Sequence, residues 1–518
     1  MVSRADHPAV PYALAAIPVL LGALVLYTPS LLPDVGFWDT GEFQTIGPVL
    51  GTAHPTGYPT YTLTAWLGSV VLQPFGNEAF RANLLSALLM AGAAALLAVR
   101  VVQATQRPGL GLLAGATFAF TPVAWGWSLR ADPHALHVFL AALLLVLLRA
   151  WATAREREHD HEQAGARSGR WLLAAAVVFG LSLGNHALTL LLAPGIAAYV
   201  LLVAPRILRR EPRLALAAAG ALVAATVLVY LYLPLRSAMD PPLDYADPQT
   251  WEGFWYVVLG QQFQGSFGLP PLAEIVGHAW DEIVRNLGLL ALVAMAGAVL
   301  GLFRHPRLTT ISLLWFGATW LFAQGYANAQ IERYYLVPLL LAALWVALAV
   351  EAAWDATLEW AHASGREALA QYGLPLTGVV LLALVVVGPG GRAGPADLSS
   401  DMRARDYLEA TFEVVADDAV IVSWWSFSTP LWYGQHVEGR RPDITVIDDR
   451  DVLDDGYGTA VAAIEAHLGQ RPVYVLRPDH QLAALEQDFD LLRVEDVPAL
   501  LDRVEGPVNE GGSHEPYD

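Results

Sequence analysis

Cysteine and lysine are both missing from this 518-residue sequence, and all 30 basic residues are arginine. Without cysteine there is no disulfide framework, no thiol chemistry and no cysteine-ligated metal, while the redox compartment stays open. The all-arginine usage fits a GC-rich coding sequence. Charge of either sign is sparse, at 15% of residues against 55% hydrophobic, and 49 acids outweigh the arginines to leave a net charge of −19. That balance excludes a disordered chain and one built to bind nucleic acid, whose phosphates require a basic surface. Tandem repeats, a Walker loop, a Rossmann fingerprint and a His-Glu-x-x-His pair are absent as well.

Apolar sequence is what the chain has in excess. Runs near or above the roughly 18 residues of a bilayer span recur from Tyr12 to Val387. We read eleven spans, at 12–32, 82–105, 109–128, 134–151, 171–187, 188–204, 214–235, 284–303, 308–325, 333–351 and 374–389. The division between the fifth and sixth is open, because apolar sequence continues on both sides of Pro194. The opening run is long and lacks a small-residue cleavage site, which argues against a signal peptide. With the N-terminus cytoplasmic, fifteen arginines fall in inner segments and five in outer ones before the tail, as the positive-inside rule requires. The odd span number then makes the tail extracytoplasmic.

Residues 1–389 therefore read as a membrane domain with a first outer loop at 33–81 and a large outer loop at 236–283. In the first loop, Gly57-Tyr58-Pro59 signals a turn, and the semi-apolar stretch to Phe75 suits an interfacial or re-entrant helix. Residues 390–518 change character. Short β-type runs at 419–422, 444–447 and 473–476 alternate with helix-like stretches at 459–467 and 481–487, which predicts a small α/β domain with a mostly parallel sheet. Residues 391–518 carry 26 Asp and Glu against 10 Arg, so that domain is strongly acidic and well solvated.

The densest chemistry lies just beyond the first span, in Phe37-Trp38-Asp39-Thr40-Gly41-Glu42-Phe43. Asp39 and Glu42, three residues apart, share a face if this turn is helical. At a membrane boundary under aromatic rings, a carboxylate can take a proton from a bound hydroxyl or hold a cation. The plainer alternative is an interfacial turn with two solvated acids. His54 is a proton shuttle or substrate-positioning group on one reading, a structural hydrogen-bonder on the other. Asp132, ahead of Pro133, is a second acid for the same cavity or a helix cap. Arg236 and Arg333 stand at outer span ends, where a guanidinium holds phosphate bidentately, or snorkels, or pairs with a neighbour such as Glu332. Asn185 and His186, within an apolar stretch, would pair inside the bundle. In the tail, Trp424 and Trp425 would stack on a sugar or acceptor, or line a buried seam against the membrane domain.

Phe37–Phe43, Gly51–Leu63 and Asn77–Leu88, in that order after one span, resemble the protein O-mannosyltransferase-like family of multi-pass GT-C glycosyltransferases. Gly180–His186, Tyr232–Ser237, Pro241–Pro248, Gly260–Phe263 and the tail segments Leu431–Gln435, Val437–Gly439 and Arg441–Asp443 extend the resemblance over nearly the whole chain. It implies a polytopic α-helical membrane protein of GT-C type, with about 11 transmembrane helices and a small C-terminal extracytoplasmic α/β domain. It also implies a polyprenyl-phosphate-linked sugar as donor and inversion at the anomeric carbon. Asp39 matches the first-loop aspartate expected to act as base. Glu42, His54 and Arg81 match motif positions of less defined role. Tyr58, Asn185, His186 and Gln262 fall in matching motifs and join Asp132, Arg236 and Arg333 as donor-binding candidates. No metal or other cofactor is expected, since transferases of this kind generally do without one. The tail departs from the family at Ser423–Thr429, where relatives carry a polar, aspartate-containing stretch, so no acceptor role transfers from them.

The sequence thus reads as a cell-membrane glycosyltransferase moving one sugar, mannose by resemblance, to an extracytoplasmic hydroxyl. Protein Ser/Thr and a glycolipid or cell-wall glycan are both open as acceptor. A secondary transporter would need midplane charges and repeated halves, and fits less well. Nothing in the sequence fixes an oligomeric state.

Overall fold

The computed structural model describes residues 9–160, 168–328, 330–366, 396–454, 456–495, 497 and 501–508. From the N-terminus, α1 (Val10–Tyr27) leads through the segment expected to be the first outer loop, which holds α2 (Asp39–Val49) and α3 (Pro59–Val71), to α4 (Glu78–Thr105). Next come α5 (Pro108–Ala119), α6 (Pro122–Ser128), α7 (Pro133–Asp160), α8 (Gly169–Leu183) and α9 (Ala193–Val203). After the single turn α10 (Ile207–Arg210) follow α11 (Pro212–Tyr230) and α12 (Tyr232–Ser237). The second outer segment carries α13 (Trp251–Val258) and α14 (Leu272–Leu287), and α15 (Leu290–Arg304), α16 (Pro306–Gly325) and α17 (Leu336–Ala363) follow. Proline opens α3, α5, α6, α7, α11 and α16, a position where its missing N–H leaves no hydrogen bond unmade.

By length and composition, five helices among the described residues can cross a membrane, and up to seven if two bent pairs are each one span. The expected third span is one such pair, α5 and α6, bent by 69°. The expected eighth span begins too early at 284. Residues up to Leu287 belong to α14, which meets α15 at 111°. Its exposed Leu272, Val276 and Trp280 lie opposite buried Ile275, Glu282 and Asn286, the pattern of a helix lying along a surface. The fifth span also ends sooner than 187. Gly184, Asn185 and His186 leave the helix for a 3-10 turn at Ala187–Leu192, and α9 continues from there. The expected span at 374–389 and the domain boundary at 389/390 lie outside the described residues. A helix does occupy Pro59–Val71, where an interfacial or re-entrant one was expected, with Leu63, Leu67, Val70 and Val71 exposed.

The C-terminal domain is built on a five-stranded sheet ordered β2-β1-β3-β5-β4. Strands β1 (Val420–Ser423), β2 (Thr445–Ile447) and β3 (Val473–Leu476) are parallel, with Val420 opposite Thr445 and Val473. Strands β4 (Phe489–Arg493) and β5 (Leu501–Pro507) add an antiparallel edge. β1 and β3 are buried at every residue, as their unbroken apolar runs require. The sequence gives no matching signal for β4 and β5, whose charged residues interrupt the apolar pattern. Helices α18 (Arg403–Val414), α19 (Trp425–Trp432), α20 (Asp449–Asp454), α21 (Ala460–His467) and α22 (Asp479–Leu485) complete the domain.

This domain docks on the first outer segment. Arg405 bonds Asp34 at 2.7 Å, Tyr433 Oη accepts from the Ala79 N–H at 3.1 Å, and the Phe37 ring packs on Tyr407 and Phe427. The tail and the first outer loop therefore share one side of the bundle.

Candidate active site

Asp39 opens α2, immediately after Trp38, whose φ of 59° lies in the left-handed region. Leu50 and Tyr58 are left-handed too. Such non-glycine residues cost about 1–3 kcal/mol each and persist where surrounding contacts over-determine them. Here those contacts are charged. Asp39 Oδ2 accepts from Arg333 Nη2 at 2.8 Å and Oδ1 from the Trp425 indole N–H at 3.0 Å. Arg333 lies in the turn Ile331–Tyr335 before α17, and its Nη1 donates to Asp132 Oδ2 at 2.9 Å. Asp132 Oδ1 meanwhile takes the His134 backbone N–H at 2.7 Å and faces His134 Nδ1 at 2.9 Å. Asp132 therefore caps the start of α7, one of its two sequence readings, and also holds Arg333 from behind the cavity wall. Arg333 pairs across the site with Asp39 and Asp132, not with Glu332 as the simplest neighbour argument had it. Burial tends to raise the Asp39 pKa, but the nearby charges of Arg333 and His54, with the bonds from Arg333 and Trp425, outweigh it and hold the group below its ordinary value.

Glu42 faces a different partner. Its Oε1 accepts the His54 backbone N–H at 2.8 Å and its Oε2 lies 2.5 Å from His54 Nδ1. An ionised carboxylate can only accept, so Nδ1 carries the proton, and Nε2 stands 3.3 Å from the Tyr58 hydroxyl. Burial pulls the His54 pKa down, yet the Glu42 charge and hydrogen bond raise it above its ordinary value. Glu42 acts on the site through His54 and is itself enclosed.

These groups border a cavity of about 510 Å³. Asp39, His54, Tyr58, His186, Gln262, Arg333, Tyr334 and Trp425 supply polar lining, and Leu188, Leu190, Leu191, Leu259, Phe263, Phe267 and Phe322 supply apolar lining. His186 Nδ1 accepts the Leu188 N–H at 3.1 Å, which leaves the proton of a neutral ring on Nε2. Its ring lies 4.5 Å from that of His134 and 6.0 Å from that of His137. The Tyr245 hydroxyl donates to Gln262 Oε1 and fixes that amide.

Five expected residues stand outside the cavity lining: Glu42 and Asp132, behind His54 and Arg333, and Arg236, Arg81 and Asn185. Arg236 donates from Nε to Leu50 O at 2.7 Å and from Nη2 to Val49 O at 3.1 Å, closing the C-terminal end of α2. Its guanidinium thus caps carbonyls where a phosphate contact was expected. Arg81 pairs with Glu78 at 2.5 Å and donates to Gly76 O at 3.0 Å. Asn185 ties the end of α8 to α7 through Pro133 O at 3.1 Å. Conversely, Tyr334, Tyr245, His134 and His137 were not singled out from sequence as site residues. His134 and His137, one helical turn apart in an apolar run, carried a readable signal; Tyr334 and Tyr245 had none beyond adjacency to motif residues. Trp425 lies in the seam expected of it and also reaches the cavity.

Comparison with known proteins bears first on the fold and then on the sequence. ArnT from Cupriavidus metallidurans bound to undecaprenyl phosphate is similar in fold, with a TM-score of 0.58 at 13% identity over 94% of this chain and 97% of that one. The archaeal oligosaccharyltransferase AglB from Archaeoglobus fulgidus, in complex with an inhibitory peptide and a dolichol-phosphate, gives 0.55 at 14% identity over 90% and 69%. Both are GT-C glycosyltransferases, so the fold is of GT-C type. In sequence, residues 39–207 match the family described as "Protein O-mannosyl-transferase TMEM260 N-terminal domain". The mouse protein O-mannosyl-transferase TMEM260 is 33% identical over 264 residues, covering 49% of this chain and 35% of the mouse protein. Its Dictyostelium discoideum namesake is 24% identical over 182 residues, or 34% and 22%. The chain thus spans about a third or less of the length of the curated relatives it matches. These matches make the chain similar to the protein O-mannosyl-transferase TMEM260 proteins over a stretch that runs from Asp39 past His186.

Proposed function

We propose that this protein is a membrane glycosyltransferase that moves a single sugar, mannose, from a polyprenyl-phosphate carrier to a hydroxyl on the extracytoplasmic side, with a protein Ser or Thr as acceptor. The observation that carries the reading is the Asp39–Arg333 pair at 2.8 Å on a cavity whose remaining lining is largely apolar. A carboxylate and a guanidinium beside an apolar wall are what a hydroxyl acceptor and a lipid-borne phosphate together need. The names of the relatives favour mannose, and the undecaprenyl phosphate and dolichol-phosphate seen with the structural neighbours favour the donor class.

In this mechanism the acceptor oxygen attacks the anomeric carbon as the bond from that carbon to the phosphate oxygen breaks, inverting the centre. Asp39 receives the acceptor proton, and polyprenyl phosphate leaves with one more negative charge. An ionised aspartate is a weak base towards a hydroxyl, so proton transfer is late. Most of the acceleration comes from in-line placement and from cationic groups facing the departing phosphate. Arg333 is the principal such group. His54, whose pKa Glu42 holds above its ordinary value, is the second, and the reading assigns no divalent metal. Gln262, Tyr58 and His186 hydrogen-bond the sugar, while the leucine and phenylalanine side chains receive the first isoprene units.

The test is transfer by the purified full chain from polyprenyl-phosphate mannose to Ser/Thr peptides, with Asp39→Asn in parallel. Peptide mannosylation by the wild type alone is the expected result. Transfer only to glycolipid would move the acceptor to the glycan class, and absence of transfer from every polyprenyl-phosphate sugar would sink the reading.

A further inference from the structure

Trp425 belongs to the C-terminal domain, yet its indole N–H ends on a residue of the membrane domain, Asp39 Oδ1, at 3.0 Å. Arg333 takes the other carboxylate oxygen at 2.8 Å. A carboxylate bonded at both oxygens cannot rotate about its terminal torsion, and each oxygen retains a lone pair for a further donor. The indole is itself fixed from three directions. Its ring lies edge-on to His54 at 5.6 Å, to Trp432 at 5.6 Å and to Tyr245 at 6.4 Å.

Where Trp425 sits in the domain also matters. It begins the helix that follows β1, at the carboxyl end of a strand flanked by parallel β2 and β3. In a sheet that starts 2-1-3, the carboxyl ends beside β1 and β3 are where α/β domains present ligand-facing groups. In this chain helix α2, with Asp39, comes to that edge. The approach is close enough to require a glycine: a Cβ on Gly41 would stand 2.5 Å from Gly36 O and 2.8 Å from Thr429 Oγ1.

Docking alone does not explain the indole. Arg405 with Asp34, Tyr433 with Ala79, and the Phe37–Tyr407–Phe427 cluster already join the domains. A seam needs an apolar ring, not an N–H aimed at a carboxylate on the cavity wall.

We propose that the C-terminal domain is a working part of the active site, with Trp425 as the positioning residue that clamps the Asp39 carboxylate for proton transfer. The inference rests on the reading of Asp39 as base. It makes transfer depend on docking of the C-terminal domain, because the membrane domain by itself supplies only one of the two clamps.

The charged and titratable groups facing Asp39 are Arg333 with Asp132 behind it, His54 with Glu42, and the hydroxyls of Tyr58 and Tyr334. On the other side of the indole stand Tyr245 and Arg450. Trp425→Phe leaves all of them in place and removes one donor to the ionised carboxylate, so the carboxylate takes up a proton at higher pH.

The experiment measures donor-saturated and donor-limited rates of the full chain from pH 4 to 8, for wild type, Trp425→Phe, Trp425→His, Tyr433→Phe and Asp39→Asn. Tyr433→Phe removes one bond of the junction, leaves Arg405–Asp34 and the Phe37 cluster to keep the domains docked, and does not touch Asp39. For Trp425→Phe we expect kcat to fall about tenfold with donor KM within about twofold. We also expect the acid limb of kcat/KM to move up by roughly one pH unit, with Trp425→His, which keeps a ring N–H, recovering part of both. Hydrogen exchange over α19 reports folding of each variant, and if Trp425→Phe does not fold, Trp425→His carries the comparison with Tyr433→Phe. A Trp425→Phe enzyme with wild-type kcat and acid limb, or a Tyr433→Phe enzyme with the same shifted limb, would overturn the proposal. Asp39→Asn separates the two layers: if it retains wild-type turnover the base reading itself fails, whereas its inactivity beside a wild-type-like Trp425→Phe defeats the clamp alone.

Discussion

The Asp39 carboxylate and the Arg333 guanidinium, 294 positions apart in the chain, form a direct ion pair of 2.8 Å at the cavity wall. The same guanidinium reaches Asp132 at 2.9 Å, so one arginine is shared between two carboxylates. A planar fork with donors on separate nitrogens is required for that geometry, and a lysine ammonium cannot reproduce it. Arg333→Lys should therefore lower kcat/KM by about 100-fold, equivalent to roughly 2.7 kcal/mol of transition-state stabilisation. Arg333→Ala leaves the buried Asp132 and the half-buried Asp39 without their cation. It should cost about 3–5 kcal/mol of stability, read as a lower Tm in detergent.

Asp39→Asn keeps the shape of the side chain and removes its basicity. If proton transfer from the acceptor is its task, kcat should fall by about 10²–10⁴ while donor KM changes little. A loss confined to donor affinity would count against the base role.

The Glu42–His54 pair gives a stability effect with a defined sign. The folded His54 pKa is raised, so the pair's contribution is fully present below the unfolded value of about 6.5 and is lost as pH rises through the folded value. Glu42→Gln should lower Tm most near pH 6, and its deficit should shrink towards pH 9. Thermal unfolding of both proteins at those two pH values is the measurement.

Gly41 sets how closely α19 can approach α2. Gly41→Ala must displace the Gly36 carbonyl or the Thr429 side chain, an overpacking change worth about 1–3 kcal/mol. The expected outcome is faster proteolysis at the domain junction, with the membrane bundle intact.

The absence of cysteine makes the topology directly readable. With the N-terminus cytoplasmic, single cysteines at exposed Asp417 and Arg157 should fall on opposite sides of the membrane. A membrane-impermeant maleimide should label Asp417→Cys in intact cells and Arg157→Cys only after permeabilisation. The reverse pattern would invert the orientation read from the arginines.

Much of the architecture could be read from local pattern alone. Long apolar runs have few ways to bury their backbone groups in a bilayer except as helices, and α1, α4, α7, α11 and α17 lie where those runs lie. The parallel core strands were legible for a related reason, since β1 and β3 are buried on both faces and so are apolar throughout. Breaks within spans were harder to see. Residues 284–287 run directly into the apolar stretch that follows, and only the turn at Gly288 assigns them to α14. Strand β4, at the sheet edge, and its neighbour β5 were hidden because charged residues break the apolar alternation of both.

Composition, hydropathy and short ordered motifs by themselves determined a membrane bundle with an acidic α/β tail, and marked Asp39, His54 and Arg333 as chemistry. Those properties are local: each depends on a residue and its near neighbours in the chain. Only the tertiary structure decided that Arg333 faces the cavity while Arg236 caps α2, that Glu42 serves His54, and that Trp425 reaches Asp39 from another domain. A side chain's charge is fixed by its identity, but its partner is fixed by which distant segments the packing brings within a hydrogen bond, and no stretch of the sequence encodes that alone.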